Sequence, residues 1–314
     1  MTRELFKIEQ MRIFITGATG MVGTRLVESL LSQDHEVVAI TRNSDLAGKY
    51  FKRRNKSTPL KIIEGDITEK GAWQEVAAEC DAIVHLAGAG IVDCRWTKSY
   101  KKILKKSRID STKNVAAVAT KTLVCAGATG FYGDRVDQNL TEMSSDGDGF
   151  LADLCKDWEQ AASDAVGRVV CLRFGMVLDS TGGVFAKMQR FFMYGLGGSL
   201  GSGKQYWPWI AWQDACSIIQ NAIYQQWEGP INAVAPEQVT CKEFVQTLGR
   251  VLKRPAIARV PKFVLKIALG ESHGVLIGSQ RVTPALLMQK GFAFEYPILR
   301  DAFQVILEDH NANV

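Results

Sequence analysis

Apolar residues fall along this chain in short continuous runs that are separated by longer amphipathic stretches. Six runs have the length and composition of buried strands, at 12–16, 36–41, 60–63, 82–86, 122–126 and 168–173. The stretches between them space their apolar residues as helices do, as with Leu26, Val27, Leu30 and Leu31. Continuous apolar strands that alternate with helices are typical of a parallel sheet covered on both faces. We therefore expect an α/β fold with a doubly wound parallel sheet.

The pattern changes after about residue 175. The rest of the chain has a glycine-rich segment, an aromatic cluster and three mainly helical stretches, at 195–203, 206–212, 241–252, 262–269 and 284–289. No Ser-rich or Pro-rich linker precedes these segments, which indicates a lobe packed on the sheet rather than tethered to it. We expect a sheet domain over 11–175 and a smaller, mostly helical lobe over 176–314, part of whose chain completes the sheet.

Three glycines follow the first strand at the spacing G-x-x-G-x-x-G. Gly17 can form a tight turn, Gly20 lets backbone N–H groups approach a pyrophosphate, and Gly23 lets the next helix pack against the strand. The start of that helix offers unpaired N–H donors to phosphate. Strand, turn and helix in this order are the context that a Rossmann-type dinucleotide site requires. The alternative is a glycine-rich turn used only for packing.

The end of the second strand indicates which dinucleotide binds. NAD sites usually have Asp or Glu there to bond the ribose 2′-hydroxyl. This chain has Thr41, Arg42, Asn43 and Ser44 instead. A guanidinium can bind a 2′-phosphate through two charge-assisted hydrogen bonds. The residues therefore favour NADP(H) over NAD(H), and the alternative is that Arg42 is a solvated surface residue.

Composition and charge narrow the class of protein. The chain has 314 residues, of which 46% are hydrophobic, and its formal net charge of +5 suits an anionic ligand without indicating nucleic acid. Its seven cysteines show no C-x-x-C and its four histidines lie far apart, so no disulfide framework and no metal site are expected. No apolar run is long enough for a membrane span, and residues 1–10 lack the apolar core of a signal peptide. We expect a cytoplasmic monomer or homodimer with neither a membrane nor a nucleic-acid partner.

Two further features could each have either a ligand-binding role or a purely structural one. The segment from Gly127 to Gly133 repeats the glycine spacing, but the polar stretch after it has no helical period. A loop beside the active site is therefore favoured over a second nucleotide site. Five lysines fall at helical spacing, and a solvated helix face is a commoner outcome for them than phosphate or nucleic-acid binding. They are Lys98, Lys101, Lys102, Lys105 and Lys106.

Several motifs occur in the order found in one enzyme family. They are Gly17 to Gly23, Gly65-Asp66-Ile67-Thr68, His85-Leu86-Ala87-Gly88, Phe131-Tyr132-Gly133 and Leu172-Arg173-Phe174-Gly175. In these motifs the chain resembles the extended, partly atypical short-chain dehydrogenases/reductases, which include nucleotide-sugar epimerases. The segments 153–159, 203–210, 232–236 and 278–282 resemble, more narrowly, uncharacterised epimerase-family oxidoreductases with a small helical C-terminal domain. The resemblance covers about 11–309.

This resemblance implies a set of NADP(H) contacts. The first turn would hold the pyrophosphate, through Gly17, Thr19, Gly20, Met21, Val22 and Gly23. Thr41 and Arg42 would hold the 2′-phosphate end, and Asp66 with Ile67 would flank the adenine. The ribose would be lined by Leu86, Ala87 and Gly88. Arg108 stands where the family usually has Asn, and a cation there would suit a bound phosphate group.

The resemblance does not extend to the catalytic groups. The family uses a Ser after the fifth strand and Y-x-x-x-K on the next helix, where Tyr is the general acid/base and Lys lowers its pKa. Gly127, Leu151 and Cys155 stand at these three positions. Tyr132 is the phenol nearest to the expected crevice, so we predict it as the substitute acid. The alternative is that Tyr132 packs under the cofactor.

Two functions of different kinds are consistent with these residues. The first is an NADP(H)-dependent oxidoreductase or epimerase-like enzyme that acts on an unknown small molecule without the usual Ser, Tyr and Lys. The second is a non-catalytic NADP(H) sensor or scaffold that acts through protein partners. The dinucleotide motif supports both, and the missing catalytic groups favour the second.

Overall fold

A computed structural model describes residues 9–52 and 60–312 of the chain. The described residues contain thirteen strands: β1 (Arg12–Thr16), β2 (Glu36–Thr41), β3 (Leu60–Glu64), β4 (Ala82–His85), β5 (Thr122–Ala128), β6 (Asn139–Leu140), β7 (Arg168–Phe174), β8 (Met176–Leu178), β9 (Gly198–Leu200), β10 (Trp209–Ala211), β11 (Gly229–Ala233), β12 (Ala258–Val260) and β13 (Arg281–Val282). Seven of them form one parallel sheet in the order β11-β7-β5-β4-β1-β2-β3. This sheet confirms the predicted Rossmann-type α/β fold.

The helices cover the sheet and build the lobe. They are α1 (Met21–Ser32), α2 (Ser44–Lys52), α3 (Trp73–Ala78), α4 (Lys98–Lys105), α5 (Ser111–Ala116), α6 (Phe150–Ala162), α7 (Gly183–Met193), α8 (Trp212–Tyr224), α9 (Cys241–Leu252), α10 (Lys262–Leu269), α11 (Gly274–Ile277), α12 (Ala285–Gln289) and α13 (Leu299–Ala312). A π-helical turn at Lys106–Asp110 joins α4 to α5 without a break. Short 3₁₀ turns lie at Thr129–Tyr132 and Gly270–His273.

Alternate residues of β1 enter the two cores of the sheet. Ile13 and Ile15 face the core beneath α1 and α8, whereas Phe14 faces the opposite core and stacks on Trp73 with ring centres 6.1 Å apart. All three strand residues are fully buried. Burial of each such side chain contributes about 1.5–3 kcal/mol, which explains why these continuous apolar runs form central strands.

The lobe has an aromatic core of its own. Phe185 of α7 stacks on Phe303 of α13 at 5.4 Å, and Phe244 of α9 meets Phe303 edge-on at 5.1 Å. The lobe is also tied to the sheet domain, because Arg25 of α1 lies over the Trp212 ring of α8 at 4.4 Å. Together with β11 in the main sheet, these contacts join the two halves of the chain into one packed unit.

Three features of the described residues concern membrane spans, metal sites and disulfides. No helix there is long and apolar enough to cross a bilayer. No group of His, Cys, Asp and Glu there is arranged to hold a metal ion. All seven cysteines are free thiols, and only Cys94 is exposed.

Candidate functional site

The turn between β1 and α1 leaves no space for side chains at two of its glycines. A β-carbon on Gly23 would lie 2.1 Å from the Gly17 carbonyl oxygen, and one on Gly17 would lie 2.8 Å from the Ala87 nitrogen. Gly17 also has φ at +68°, in the left-handed region that favours glycine. α1 begins at Met21 without a side-chain cap, so no side chain competes for its first amides. The turn therefore has the close approach and N–H donors that a pyrophosphate needs.

The ends of β2 and β3 bring opposite charges together. Arg42 is exposed, and it makes no hydrogen bond or ion pair within the described residues. Glu64 accepts hydrogen bonds from the Ser44 hydroxyl at 2.6 Å and the Ser44 amide at 3.1 Å, which lower the pKa of Glu64. Asp66 accepts two hydrogen bonds from Thr68, and these, with a smaller effect of Arg42, lower the pKa of Asp66. Arg42 is thus the free cation at this end of the site.

A buried network of hydrogen bonds lies beneath the glycine turn. His85 Nδ1 is 2.7 Å from Thr16 Oγ1, and His85 Nε2 is 3.3 Å from Ser111 Oγ. Burial, helped by the nearby Arg108 charge, lowers the pKa of His85 to about 3, so its ring is neutral. Ser111 Oγ also donates to the carbonyl oxygens of Ser107 at 2.8 Å and Arg108 at 3.1 Å. The network therefore fixes the π-helical turn against β1 and β4.

That turn carries Arg108 into the cleft. The Arg108 guanidinium carbon lies 3.3 Å from the position of a β-carbon on Gly88, and 5.1 Å from the centre of the Trp158 ring. Arg108 Nη1 is buried and has no hydrogen-bond partner among the described residues. Burial lowers the pKa of Arg108, but an arginine in a protein stays charged. A buried guanidinium with an unused donor is well suited to bind an anion.

A cavity of about 630 Å³ adjoins Arg108 between the carboxyl end of β5 and the lobe. Its walls are mostly apolar and aromatic, and they include Ile91, Trp96, Phe150, Trp158, Phe174, Met176, Trp207 and Leu276. Met21, at the start of α1, also lines it. The cavity therefore reaches the glycine turn, and its volume suits a small molecule.

The predicted cofactor residues form two groups in the structure. Gly17 and Gly88 are linked through the Ala87 backbone, and Gly88 contacts Arg108, so these residues follow one another from the turn to the cavity. Thr41 and Arg42 lie with Asp66 at the neighbouring strand ends. The other predicted residues are neighbours of these in the sequence. The first group also includes Thr19, Gly20, Met21, Val22, Gly23 and Leu86, and the second also includes Ile67.

The three residues that the family resemblance predicts at the positions of its catalytic groups all line the cavity. They are Gly127, Leu151 and Cys155. Burial raises the pKa of the Cys155 thiol to about 12, so it stays protonated at neutral pH. Leu151 and Gly127 have no group that exchanges a proton. This part of the wall therefore holds no acid or base for neutral pH.

The Tyr132 side chain lies fully buried in the protein interior and not in the wall of the cavity. The hydroxyl donates to Asn232 Oδ1 at 2.6 Å and accepts from Arg173 Nη1 at 2.9 Å. Arg173 in turn donates to both carboxylate oxygens of Glu159, at 2.7 and 2.8 Å. The 3₁₀ turn after β5 directs the phenol into this network, where both partners of its hydroxyl are protein groups, and the role of Tyr132 as the acid stays a prediction.

Tyr206 is the phenol that lines the cavity, and sequence reasoning missed it. Its hydroxyl makes no hydrogen bond within the described residues. Its backbone is held in place, because Tyr206 N approaches Ser279 Oγ at 3.0 Å and its carbonyl accepts from the Gln280 amide at 3.2 Å. Thr129 also lines the cavity. In the sequence, Tyr206 is marked only as the first residue of the aromatic cluster 206–212. The Trp residues of that cluster are marked in the same way, so the pattern does not single out Tyr206 as a site residue.

Comparison with known proteins places this geometry in a family. A model of the NAD dependent epimerase/dehydratase family matches residues 13–149, and a model of a domain of unknown function, DUF1731, matches residues 260–306. An SDR39U1 homolog of Arabidopsis thaliana, a chloroplastic epimerase family protein, is 37% identical and covers 96% of this chain and 88% of its own. An epimerase family protein of Mycobacterium leprae is 36% identical, over 92% of this chain and 94% of its own.

A solved structure extends the comparison to three dimensions. The human epimerase family protein SDR39U1 (isoform 2), solved with NADPH, has a TM-score of 0.82 and 32% sequence identity. The match covers 95% of this chain and 100% of that one. The chain therefore belongs to the NAD-dependent epimerase/dehydratase family, in the group of epimerase family proteins that includes SDR39U1.

Proposed function

We propose that this protein is an NADP(H)-dependent oxidoreductase or epimerase-like enzyme that acts on a small molecule in the cavity beside Arg108. One observation carries the proposal. The glycine turn, Ala87, Gly88 and Arg108 are in contact one after another, and Arg108 forms part of the cavity wall. A dinucleotide that follows this path has its phosphates at the turn and its far end at the cavity, which is where ligands bind in open α/β sheets.

The residues present fit NADP(H) better than NAD(H). The stretch 41–44 has no carboxylate, and Arg42 is exposed and free to bind a 2′-phosphate. The related human protein was solved with NADPH, which supports the same choice here. When bound, NADPH supplies a hydride, and the chain's residues bind, orient and protonate.

We infer that Arg108 supplies the positive charge that the Lys of Y-x-x-x-K supplies in the family. Cys155 stands at the Lys position, and the Arg108 charge acts on it by opposing the rise in its pKa. Both residues line the cavity. A guanidinium held there by the π-helical turn can bind an anionic or hydroxyl group without help from α6.

Tyr206 is the residue that we infer to hold the transferable proton. It lines the cavity with a hydroxyl that has no partner among the described residues, whereas both hydrogen bonds of the Tyr132 hydroxyl are used. A general acid must reach its substrate directly or through one water. Of the two tyrosines, Tyr206 is the one that lines the cavity.

The walls of the cavity indicate a substrate with an apolar body and one anionic or strongly polar group. Aromatic side chains from both halves of the chain, among them Trp96, Trp158 and Trp207, make most of the cavity wall apolar. The unused Nη1 donor of Arg108 is left to bind the polar group. A carbonyl compound with an attached carboxylate satisfies both conditions.

The second function, a non-catalytic NADP(H) sensor, is favoured by one observation. Gly127, Leu151 and Cys155 offer no proton-transfer group on the wall where the family has three. A sensor needs only to bind the cofactor and to change a partner contact. It predicts different partner binding for NADP⁺ and NADPH, without turnover.

Turnover measurements separate these functions. NADPH oxidation is followed by its absorbance with aldehydes, ketones and keto acids of increasing apolar size. We expect turnover with a bulky keto acid, and a loss of about 10²-fold or more in kcat for Tyr206→Phe with unchanged NADPH affinity. Tyr194→Phe, at an exposed tyrosine outside the cavity, is the matched control. Tight NADPH binding without turnover on the whole panel supports the sensor instead.

A further inference from the structure

Two segments of the lobe have an unusual charge pattern. The stretches 183–200 and 250–269 contain no Asp or Glu. All eight of their charged residues are cations, and all eight are exposed: Lys187, Arg190, Arg250, Lys253, Arg254, Arg259, Lys262 and Lys266. The formal net charge of the whole chain is only +5, so the rest of the chain is net negative. The net positive charge of the protein therefore comes from these segments.

The same segments expose large apolar side chains. Fifteen large hydrophobic residues are exposed in the described part of the chain, and eight of them lie here: Phe191, Met193, Tyr194, Leu196, Ile257, Phe263, Val264 and Ile267. Ile257 is 89% exposed and Tyr194 is 80% exposed. Exposed apolar side chains are common singly, but a cluster of this kind marks an interaction site.

Contacts within the lobe bring the two segments onto one surface. β9 and β12 pair in parallel, and the Ala258 amide donates to the Gly197 carbonyl at 3.2 Å, so the chain before β9 and the chain before β12 run next to each other. α10 follows β12 directly and is anchored by Leu265, its one buried residue. We refer to the exposed residues of 183–200 and 250–269 together as the basic apolar surface.

This surface adjoins the mouth of the cavity. Lys187 of α7 pairs with Asp93 at 3.0 Å, and Arg95 donates to the Ala268 carbonyl of α10 at 3.0 Å. Asp93 and Arg95 belong to the loop after β4, whose residues Ile91 and Trp96 line the cavity. The start of α7 and the helix after α10 also line it. The basic apolar surface therefore surrounds one side of the entrance.

We propose that the basic apolar surface docks the protein on an anionic lipid bilayer, with the mouth of the cavity next to the membrane. Phe263 and Ile267 on α10 have Lys262 and Lys266 beside them, an arrangement in which apolar side chains enter the headgroup layer and lysines bind anionic headgroups. The protruding Tyr194 and Leu196 add aromatic and aliphatic contacts of the kind found at membrane interfaces.

A bilayer fits this surface better than the other occupants. A second copy of the chain, docked through the same surface, would place eight cations against eight cations. An acidic protein would satisfy the charges, but the apolar residues project from a helix face and a loop tip rather than lining a groove. The sequence analysis expected no membrane partner because no segment is long enough to span a bilayer, but a surface of this kind would lie in the membrane interface without spanning it. The proposal does not depend on turnover, because it concerns the surface alone.

Vesicle co-sedimentation tests the proposal directly. The full chain is sedimented with phosphatidylcholine vesicles, with and without added phosphatidylglycerol, at low and at high salt. We expect binding to the anionic vesicles, weak binding to the neutral ones, and a fall in binding as salt screens the cations. The double variants Phe263→Ser/Ile267→Ser and Lys262→Glu/Lys266→Glu should each bind anionic vesicles about tenfold less or weaker still.

Matched controls change the same residue types elsewhere. Met143→Ser/Val166→Ser removes two apolar side chains that are 92% and 88% exposed, and Lys61→Glu/Lys113→Glu reverses two exposed charges outside the surface. Both controls should bind anionic vesicles as the unaltered chain does. Thermal unfolding checks that every variant is folded.

Three results would overturn the proposal. The first is equal sedimentation with anionic vesicles and without vesicles. The second is a loss of vesicle binding in the control variants that is as large as the loss in the surface variants. The third is a dimer, seen by sedimentation velocity, that dissociates in Phe263→Ser/Ile267→Ser while vesicle binding is absent, which would assign the surface to a second copy.

Discussion

Gly88 and Arg108 lie next to each other in the cleft, and a side chain at position 88 would press on the guanidinium of Arg108. The distance from the Arg108 guanidinium carbon to the site of a Gly88 β-carbon is 3.3 Å, which is tighter than ordinary van der Waals contact. The Ser111 and His85 hydrogen bonds hold the backbone of Arg108 from the other side. The position of this buried cation is therefore fixed by the absence of a side chain at Gly88.

Replacement of Gly88 by alanine should move the guanidinium and weaken NADPH binding severalfold. The fold should be retained, because only the end of a flexible side chain must shift. Gly48→Ala is the control, since a β-carbon there meets nothing within 4 Å. Fluorescence titration with NADPH measures both variants. Equal affinity in Gly88→Ala and the unaltered chain would mean that Arg108 does not contact the cofactor or that it adapts freely.

Arg108→Met should have opposite effects on stability and on function. Removal of a buried cation whose Nη1 has no partner should raise the free energy of unfolding by about 1 kcal/mol, because its desolvation cost disappears. Binding of NADPH or of an anionic substrate should fall by tenfold or more, since a charge-assisted hydrogen bond contributes about 1.5–3 kcal/mol. Urea unfolding and ligand titration of the same preparation give both quantities. A loss of stability would show that Arg108 has a structural partner.

Tyr132→Phe separates a structural from a catalytic role. The variant leaves Asn232 Oδ1 without its donor and Arg173 Nη1 without its acceptor, both inside the protein. We expect the free energy of unfolding to fall by about 1–3 kcal/mol, with NADPH affinity unchanged. Chemical denaturation measures the first quantity and titration the second. Unchanged stability together with lost turnover would support the catalytic role predicted from the sequence.

The sequence predicted six of the seven strands of the central sheet, because each of the six is a continuous apolar run, whereas β11, with the sequence GPINA, is not and was not predicted. The predicted run 36–41 matches β2, and 60–63 and 82–86 differ from β3 and β4 by one residue. The glycine turn was also predictable, since Gly17 and Gly23 occupy positions where a β-carbon meets backbone. These features depend on local spacing, which a single sequence displays directly.

The cavity was less predictable because its walls come from distant parts of the chain. Tyr206 lines it from a segment beyond β9, and its orientation depends on contacts with Ser279 and Gln280. Tyr132, in contrast, stood at a motif position, but the 3₁₀ turn directs it into a network with Asn232, 100 residues away. The π-helical turn that carries Arg108 has no sequence signal, since it interrupts a regular helical pattern. The locations of these three side chains depend on packing between residues far apart in the chain, which a single sequence does not display.

The buried imidazole of His85 should make stability depend on pH. Its pKa is about 3 in the folded protein, against about 6.5 in the unfolded chain. Between these values the unfolded state binds more protons, so the free energy of unfolding falls as pH is lowered from about 6.5 toward 3, by at most about 1.4 kcal/mol per pH unit. The stability that depends on a neutral His85 ring is fully present above about pH 6.5. Urea unfolding of the unaltered chain and of His85→Gln across this range should show the steeper fall in the unaltered chain. Parallel curves would mean that folding does not lower the pKa of His85.

Arg42 should set the preference for the phosphorylated cofactor. It is the exposed cation at the end of β2, and no carboxylate follows it in 41–44. Arg42→Leu should weaken NADPH binding by about tenfold or more and leave NADH binding nearly unchanged, because only NADPH has a 2′-phosphate for the guanidinium. Competition titrations with both cofactors measure the ratio. A proportional loss for both would place Arg42 outside the 2′-phosphate site.

Isothermal titration calorimetry with NADPH is the most direct test of the central claim, that the glycine turn and the cleft beside Arg108 bind this cofactor. We expect a saturable heat of binding at one site per chain, with NADH binding about tenfold or more weakly. No heat with NADPH or with NADP⁺, from protein shown to be folded, would contradict it.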